Sequence, residues 1–252
     1  MSKRDDVSRY YDSNAAVQKV VTYSFIVNIV GSIFTLFSSG TFFHFIILLQ
    51  FIASFINILF SWLTNFIFFP AAERARRKTL IDNAFDLDTT IDETDGYYNN
   101  DLSPSVEKLI LNAFESIYFT LNLSQKMIPR EAIKSLGAII VLIITLNVFT
   151  TNEFPLIVLQ VVFSSSYILG MINLILYYYR LKSLYDDFYK CLITEKTCSD
   201  ITIIHLVGLC VEYEIIKGSQ QIKISSKLFK ELNPKLSANW DKLKTKCIYY
   251  HN

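Results

Sequence analysis

Charge is missing from two long stretches of this chain. Between Lys19 and Glu73 there is no Lys, Arg, Asp or Glu, and between Lys134 and Arg180 the single charged residue is Glu153. That pattern argues against a water-soluble bundle, in which nearly every helix carries a polar face. A spanning helix needs roughly 20 apolar residues, so each stretch is long enough for two crossings. Catalytic signatures are missing as well. There is no Gly-rich phosphate loop, no G-x-S-x-G elbow, no H-E-x-x-H and no carboxylate pair inside the apolar stretches. His44, His205 and His251 are scattered. The ionisable groups that intramembrane enzymes and proton-coupled pumps hold at membrane depth are absent. Cys191, Cys198, Cys210 and Cys247 form no C-x-x-C pair, which argues against zinc. No enzyme, metal or cofactor is expected. A secretory signal is not expected either, because the N-terminus carries Asp5, Asp6 and Asp12 and has no short apolar region before a cleavage pattern.

What remains is a chain of 252 residues, 52% hydrophobic, with its charge confined to the segments between the apolar stretches. Ser38-Ser39-Gly40-Thr41 breaks the first stretch into spans 20–37 and 42–69. Thr150-Thr151-Asn152-Glu153, before Pro155, breaks the second into 133–149 and 155–179. Backbone amides in hydrocarbon must be bonded internally, so all of these should be helices. The expected fold is therefore all-α, a four-span transmembrane protein of two hairpins with helical cytosolic parts. Its segments are a cytosolic N-terminus (1–19), hairpin one (20–72), a central segment (73–132), hairpin two (133–179) and a C-terminal region (180–252). Span 42–69 exceeds the bilayer and should tilt or run on into water. Lys and Arg flank every span on one side, while the short turns have none. The positive-inside bias then places both termini and the central segment in the cytosol, where thiols stay reduced.

In the central segment, residues 73–85 continue the second span, and an acidic, turn-rich loop follows from Asp86 to Asp101 without EF-hand spacing. Ser103 and Pro104 offer a cap and first turn for an amphipathic helix bearing Val106, Leu109, Ile110, Ala113, Phe114, Ile117 and Leu121. It could dock on the membrane, on the C-terminal region or on a neighbouring subunit. Pro129 is placed at the start of the third span's helix. Ser199-Asp200 caps a helix closed by Gly218, too short in its apolar part to be a fifth crossing. Asn233-Pro234 is expected as a turn in a basic tail.

Two sets of residues are candidates for function. Gln50, Ser54, Asn57, Ser61, Thr64 and Asn65 recur at steps of three and four, as do Ser24, Asn28, Gly31, Ser32 and Thr35. A weaker set is Ser166, Gly170, Asn173 and Tyr177. Such stripes serve as interhelical glue or as the wall of a water-filled path; the second-span stripe, with three carboxamides, is the candidate pore lining. Arg74, Arg76, Arg77 and Lys78 form a basic cluster that either anchors anionic lipid headgroups or binds a phosphate-bearing ligand, with Lys108, Lys126 and Arg130 as contributors.

The order of parts, with Ala71-Ala72-Glu73-Arg74-Ala75-Arg76-Arg77 after the first hairpin and then Ile81-Asp82-Asn83-Ala84-Phe85, resembles the S-4TM class of bacterial pore-forming effectors. The family's usual Leu-Pro-Trp is absent, and Tyr97-Tyr98-Asn99-Asn100 stands in the comparable place. The resemblance implies an anti-phage effector of the bacterial inner membrane, of Hailong type, encoded beside a nucleotidyltransferase. It implies a homo-oligomer, with a tetramer favoured, that depolarises the membrane under control of a nucleotide or short oligonucleotide. A non-conducting adaptor that recruits a cytosolic partner through its amphipathic helices is the alternative. A transporter is disfavoured, since no span is visibly broken at mid-depth.

Overall fold

The structure, a computed structural model, describes residues 4–92, 94–95, 97–148, 154–195 and 199–250. Among the described residues the regular structure is helical apart from a two-residue antiparallel pair, β1 (Arg4–Asp5) with β2 (Thr94–Asp95). The helices are α1 (Ser8–Thr35), α2 (Gly40–Leu63), α3 (Phe69–Phe85), α4 (Val106–Val148), α5 (Phe154–Tyr189), α6 (Asp200–Gln220) and α7 (Ser226–Lys244). A π-helical segment, Thr64–Phe68, joins α2 to α3 without a break, and another, Lys190–Glu195, extends α5. Among the described residues three helices are long and apolar enough to cross a membrane: Ser8–Thr35, Gly40–Phe85 and Gln160–Glu195. The stretch expected as the third span is the C-terminal part of α4 and is not one of these three. The turn expected at 150–153 lies outside the described residues, as do Cys198 and His251.

Several local expectations are corrected. The long helix of the central segment is capped by Ser105, whose Oγ accepts from the Lys108 amide at 3.2 Å, not by Ser103. Pro129 starts nothing; α4 runs through it for 43 residues. Pro234 likewise sits inside α7, where the buried Leu228, Leu236 and Trp240 fix the helix by packing. Gly218 does not end α6. The helix stops at Gln221, whose left-handed backbone (φ 50°) returns its N–H to the Lys217 carbonyl. Ser199 caps the other end, accepting from the Thr202 amide at 3.2 Å, as expected. The turn before α2 uses Gly40 at φ +60°, a conformation that disfavours residues with a Cβ.

The chain divides into two compact units. One, here the ionic unit, comprises Met1–Tyr11, Phe69–Met127 and Leu174–Asn252. Its core is apolar and aromatic: Ile110, Phe114 and Ile117 of α4 pack with Leu181, Leu184 and Phe188 of α5, Leu206 of α6 and Trp240 of α7. Phe114 stacks on Phe188 at 5.5 Å and takes Trp240 edge-on at 5.4 Å. The amphipathic face of α4 is thus covered by the chain's own C-terminal region, one of the three dockings expected for it. The acidic loop is tied down at several points. Arg9 bonds Asp92 at 2.6 Å, Asp82 accepts from Thr90 at 2.8 Å, and the Lys244 ammonium reaches the Asn99 carbonyl at 2.7 Å.

The other, here the apolar unit, comprises Asp12–Phe68 and Ile128–Asn173. Its pattern is inverted. Phe42, Phe45, Leu48, Phe55, Trp62, Leu136 and Leu169 are exposed, while Asn28, Ser32, Gln50, Ser54, Gln160 and Ser164 are fully buried. Water would penalise that surface heavily, whereas hydrocarbon favours it.

Candidate functional site

The buried polar residues of the apolar unit form one connected network. Gln50 of α2 accepts from the Ser32 hydroxyl at 3.0 Å and from the Gln160 amide at 3.4 Å. Gln160 also donates to the Asn28 side-chain Oδ1 at 2.8 Å, and the Asn28 side-chain amide donates to Ser54. One helical turn along, Asn57 donates to the Val21 carbonyl at 2.9 Å and to the Tyr167 hydroxyl at 3.0 Å. Ser164 and Ser135 tie α5 to α4 through the carbonyls of Ala138 and Tyr167, at 2.9 and 3.0 Å. Gly31 permits the tight approach of α2, since a Cβ there would lie 2.7 Å from Gln50 Cγ. Two buried atoms, Gln50 Nε2 and Gln160 Oε1, have no hydrogen-bond partner. They are one donor and one acceptor.

Most of the second-span stripe therefore faces inward within one chain. Gln50, Ser54, Asn57 and Thr64 are buried, and Ser61 and Asn65 are half-buried. Thr64 spends its hydroxyl on the Phe60 carbonyl at 2.7 Å. The first-span set Ser24, Asn28, Ser32 and Thr35 is also buried, and Ser32 and Asn28 bond to α2. The expected fourth-span set is divided, with Tyr177 buried and Asn173 half-buried. Ser166 and Gly170 are exposed, and the inward set is Gln160, Ser164 and Tyr167. Their i, i+4, i+7 spacing was present in the sequence, but Ser166 and Gly170 offered a competing register one helical face away.

The basic cluster lies in the ionic unit, on α3. The Arg76 guanidinium makes a two-pronged contact with Asp5 at 2.9 and 3.1 Å and lies 4.0 Å from the Tyr97 ring centre. Arg77 pairs with Glu214 at 2.9 Å. Both guanidinium groups are thus paired with carboxylates of the same chain. Arg74, Lys78, Lys126 and Arg130 are exposed and Lys108 is half-buried; Arg130 belongs to the other unit. Beside the cluster, Lys217 of α6 sits between Glu73 at 3.1 Å and Glu214 at 2.8 Å, with all three side chains less than one-fifth exposed. Burial opposes its charge, but Glu73, Tyr213 and Glu214 outweigh that and hold it protonated well above the usual lysine range. Tyr213, which donates to or accepts from Thr120 at 3.1 Å, is pushed up by burial. Sequence reasoning missed the anionic half of this cluster, Asp5, Glu73 and Glu214, because those residues are up to 209 positions apart.

No family model, curated protein or solved structure matches the chain.

Proposed function

We propose that the chain is the subunit of a homo-oligomeric, ligand-gated pore in the bacterial inner membrane. Each subunit crosses four times, with both termini in the cytosol, and a tetramer is the favoured assembly. The pore depolarises the membrane in anti-phage defence under control of a nucleotide or short oligonucleotide made by a partner nucleotidyltransferase. The resemblance to the S-4TM class supports the defence role, and the one-sided placement of Lys and Arg supports the orientation.

The observation that carries the pore itself is the carboxamide network, Asn28, Gln50, Asn57 and Gln160, buried between α1, α2 and α5. Four amide side chains with an orphaned donor and acceptor exceed what helix packing needs. The present arrangement is read as closed, with each polar group spent inside its own subunit. Interhelical hydrogen bonds in membranes average only about 0.6 kcal/mol, so exchanging them for water on opening costs little. The Gln50–Asn65 face of α2 and the π segment after it would then line the path, without a charged ring and with weak discrimination among small ions. A ligand acting at Arg74, Arg76, Arg77 and Lys78 would do so on α3, which is continuous with α2 through the Thr64–Phe68 π segment. Gating follows if that ligand prefers one arrangement over the other.

Purified protein in planar bilayers tests the reading. Discrete conductance is expected, altered by Asn57→Leu, with open probability shifted by short oligonucleotides and the shift abolished by Arg76→Glu with Arg77→Glu. A silent bilayer from a well-defined oligomer would overturn the pore and leave a membrane adaptor as the better account.

A further inference from the structure

The outer face of α6 is not used by the core of the ionic unit. Leu206, Leu209, Cys210, Tyr213 and Ile216 are buried in that core. On the opposite side Ile201, Ile204, Val211 and Ile215 are 80%, 71%, 54% and 63% exposed. Gly208 lies between them, with no atom within 4 Å of where a Cβ would stand. A continuous row of exposed branched side chains on one helix marks an interaction surface.

Spacing and charge select the occupant. Positions 201, 204, 208, 211 and 215 advance by three and four alternately, the a and d seam of a heptad repeat. A bilayer surface fits poorly, because interfacial helices place Lys and Arg beside their apolar face. The one cation of α6, Lys217, is locked between Glu73 and Glu214, and its other charges are the acids Asp200, Glu212 and Glu214. Nor is α6 among the helices long and apolar enough to cross a membrane.

We propose that α6 packs in parallel against α6 of a second copy of this chain through the Ile201–Ile204–Gly208–Val211–Ile215 seam. In that register Asp200 takes a g position and faces the partner subunit's His205 at e, so a carboxylate acceptor meets an imidazole N–H donor beside the seam. Parallel alignment is what rotation about the bilayer normal imposes on copies in one membrane. The contact rests on the homo-oligomeric part of the proposed function, and it does not depend on conduction. Two heptads form a weak interface alone, but membrane anchoring holds copies at high effective concentration.

Oxidative cross-linking of the full chain in membranes tests it. Ile204→Cys and Val211→Cys should each give a disulfide-linked dimer several-fold more abundant than Lys230→Cys on the exposed side of α7. The pair Ile204→Lys with Val211→Lys should lower the stoichiometry of detergent-solubilised protein by light scattering while circular dichroism stays unchanged. Gly208→Leu fills an open seam position and should lower the dissociation concentration about ten-fold. Equal cross-linking at all three cysteine positions, or an unaltered oligomer in the double-lysine variant, would overturn the proposal. So would shielding of the Val211→Cys thiol by added anionic vesicles without cross-linking, which would name lipid as the occupant. Conductance without seam cross-linking removes this contact and spares the pore; seam cross-linking with a silent bilayer does the reverse.

Discussion

The two units solve the same packing problem with opposite materials. The ionic unit hides aromatic rings around Phe114 and Trp240 and holds its charges in close pairs, Lys217 with Glu73 and Glu214, Arg76 with Asp5. The apolar unit hides serine, asparagine and glutamine and presents phenylalanine and leucine outward. The difference follows from the surroundings each surface suits. Where water surrounds a fold, apolar burial drives assembly. Where hydrocarbon surrounds it, apolar contacts gain nothing from burial, and small residues with interhelical hydrogen bonds do the joining. The energetic scales differ too. A buried ion pair is costly to break, whereas neutral pairs between membrane helices are cheap.

That contrast can be tested by substitution, from the largest expected effect to the smallest. Lys217→Met takes the ammonium away from Glu73 and from one oxygen of Glu214, which keeps only Arg77, and should destabilise the ionic unit by about 3–5 kcal/mol, seen as early melting and proteolysis of the C-terminal region. Because the folded Lys217 pKa lies above its usual value, this contribution is complete below the ordinary lysine pKa and is lost only as pH rises through the raised one. The loss on mutation should therefore be constant between neutral pH and about pH 9.

In the apolar unit, Gly31→Leu drives a side chain into Gln50, whose Cγ is only 2.7 Å from the Cβ position. A cost of about 1–3 kcal/mol is expected, measured as a lower melting temperature in detergent. A loss as large as that of Lys217→Met would erase the contrast between the units.

Titration gives a third test. Burial lowers the Lys223 pKa to about 8, so the folded chain binds fewer protons than the unfolded chain between that pH and the ordinary lysine range. Stability conferred by Lys223 should rise with pH across that window and be absent below it. The difference in melting temperature between wild type and Lys223→Gln should follow this curve, with an amplitude of about 1–2 kcal/mol after allowing for solvent screening. The neutral network should contribute no such slope, since Asn and Gln do not titrate.

Smallest of all, Asn57→Leu removes the bonds to Val21 and Tyr167, and about 0.6 kcal/mol per bond should be lost. A loss above about 3 kcal/mol would mean the network behaves like the buried ion pairs, and would sharpen the question of how it could ever open.

Helical periodicity made much of the apolar unit legible. The rows through Asn28 and Gln50 were visible because each helix repeats its inward face every three or four residues. The partner row was misplaced on α5, where Ser164 and Ser166 are both small polar residues and only packing separates them. In the ionic unit the apolar face of α4 could be read, but not its cover, because Leu184, Leu206 and Trp240 lie far along the chain. The basic cluster was visible as a run of charge, while its carboxylate partners, Asp5 and Glu214, came from two distant segments. Prolines misled twice: at Pro129 and Pro234 the helix continues, since buried neighbours on both sides outweigh one lost hydrogen bond.

The sequence by itself determined the solvent preference of each stretch, the helical state of the apolar runs and which faces carry polar groups. Those are local properties, set by composition and by the 3.6-residue repeat. The tertiary structure alone decided that the Gln50 stripe bonds to Asn28, Ser32 and Gln160 within one chain, that Arg76 and Arg77 are held by carboxylates, and that the heptad face of α6 is left outward. Each of these depends on residues brought together from distant positions, and no local pattern encodes which distant partner a side chain will meet.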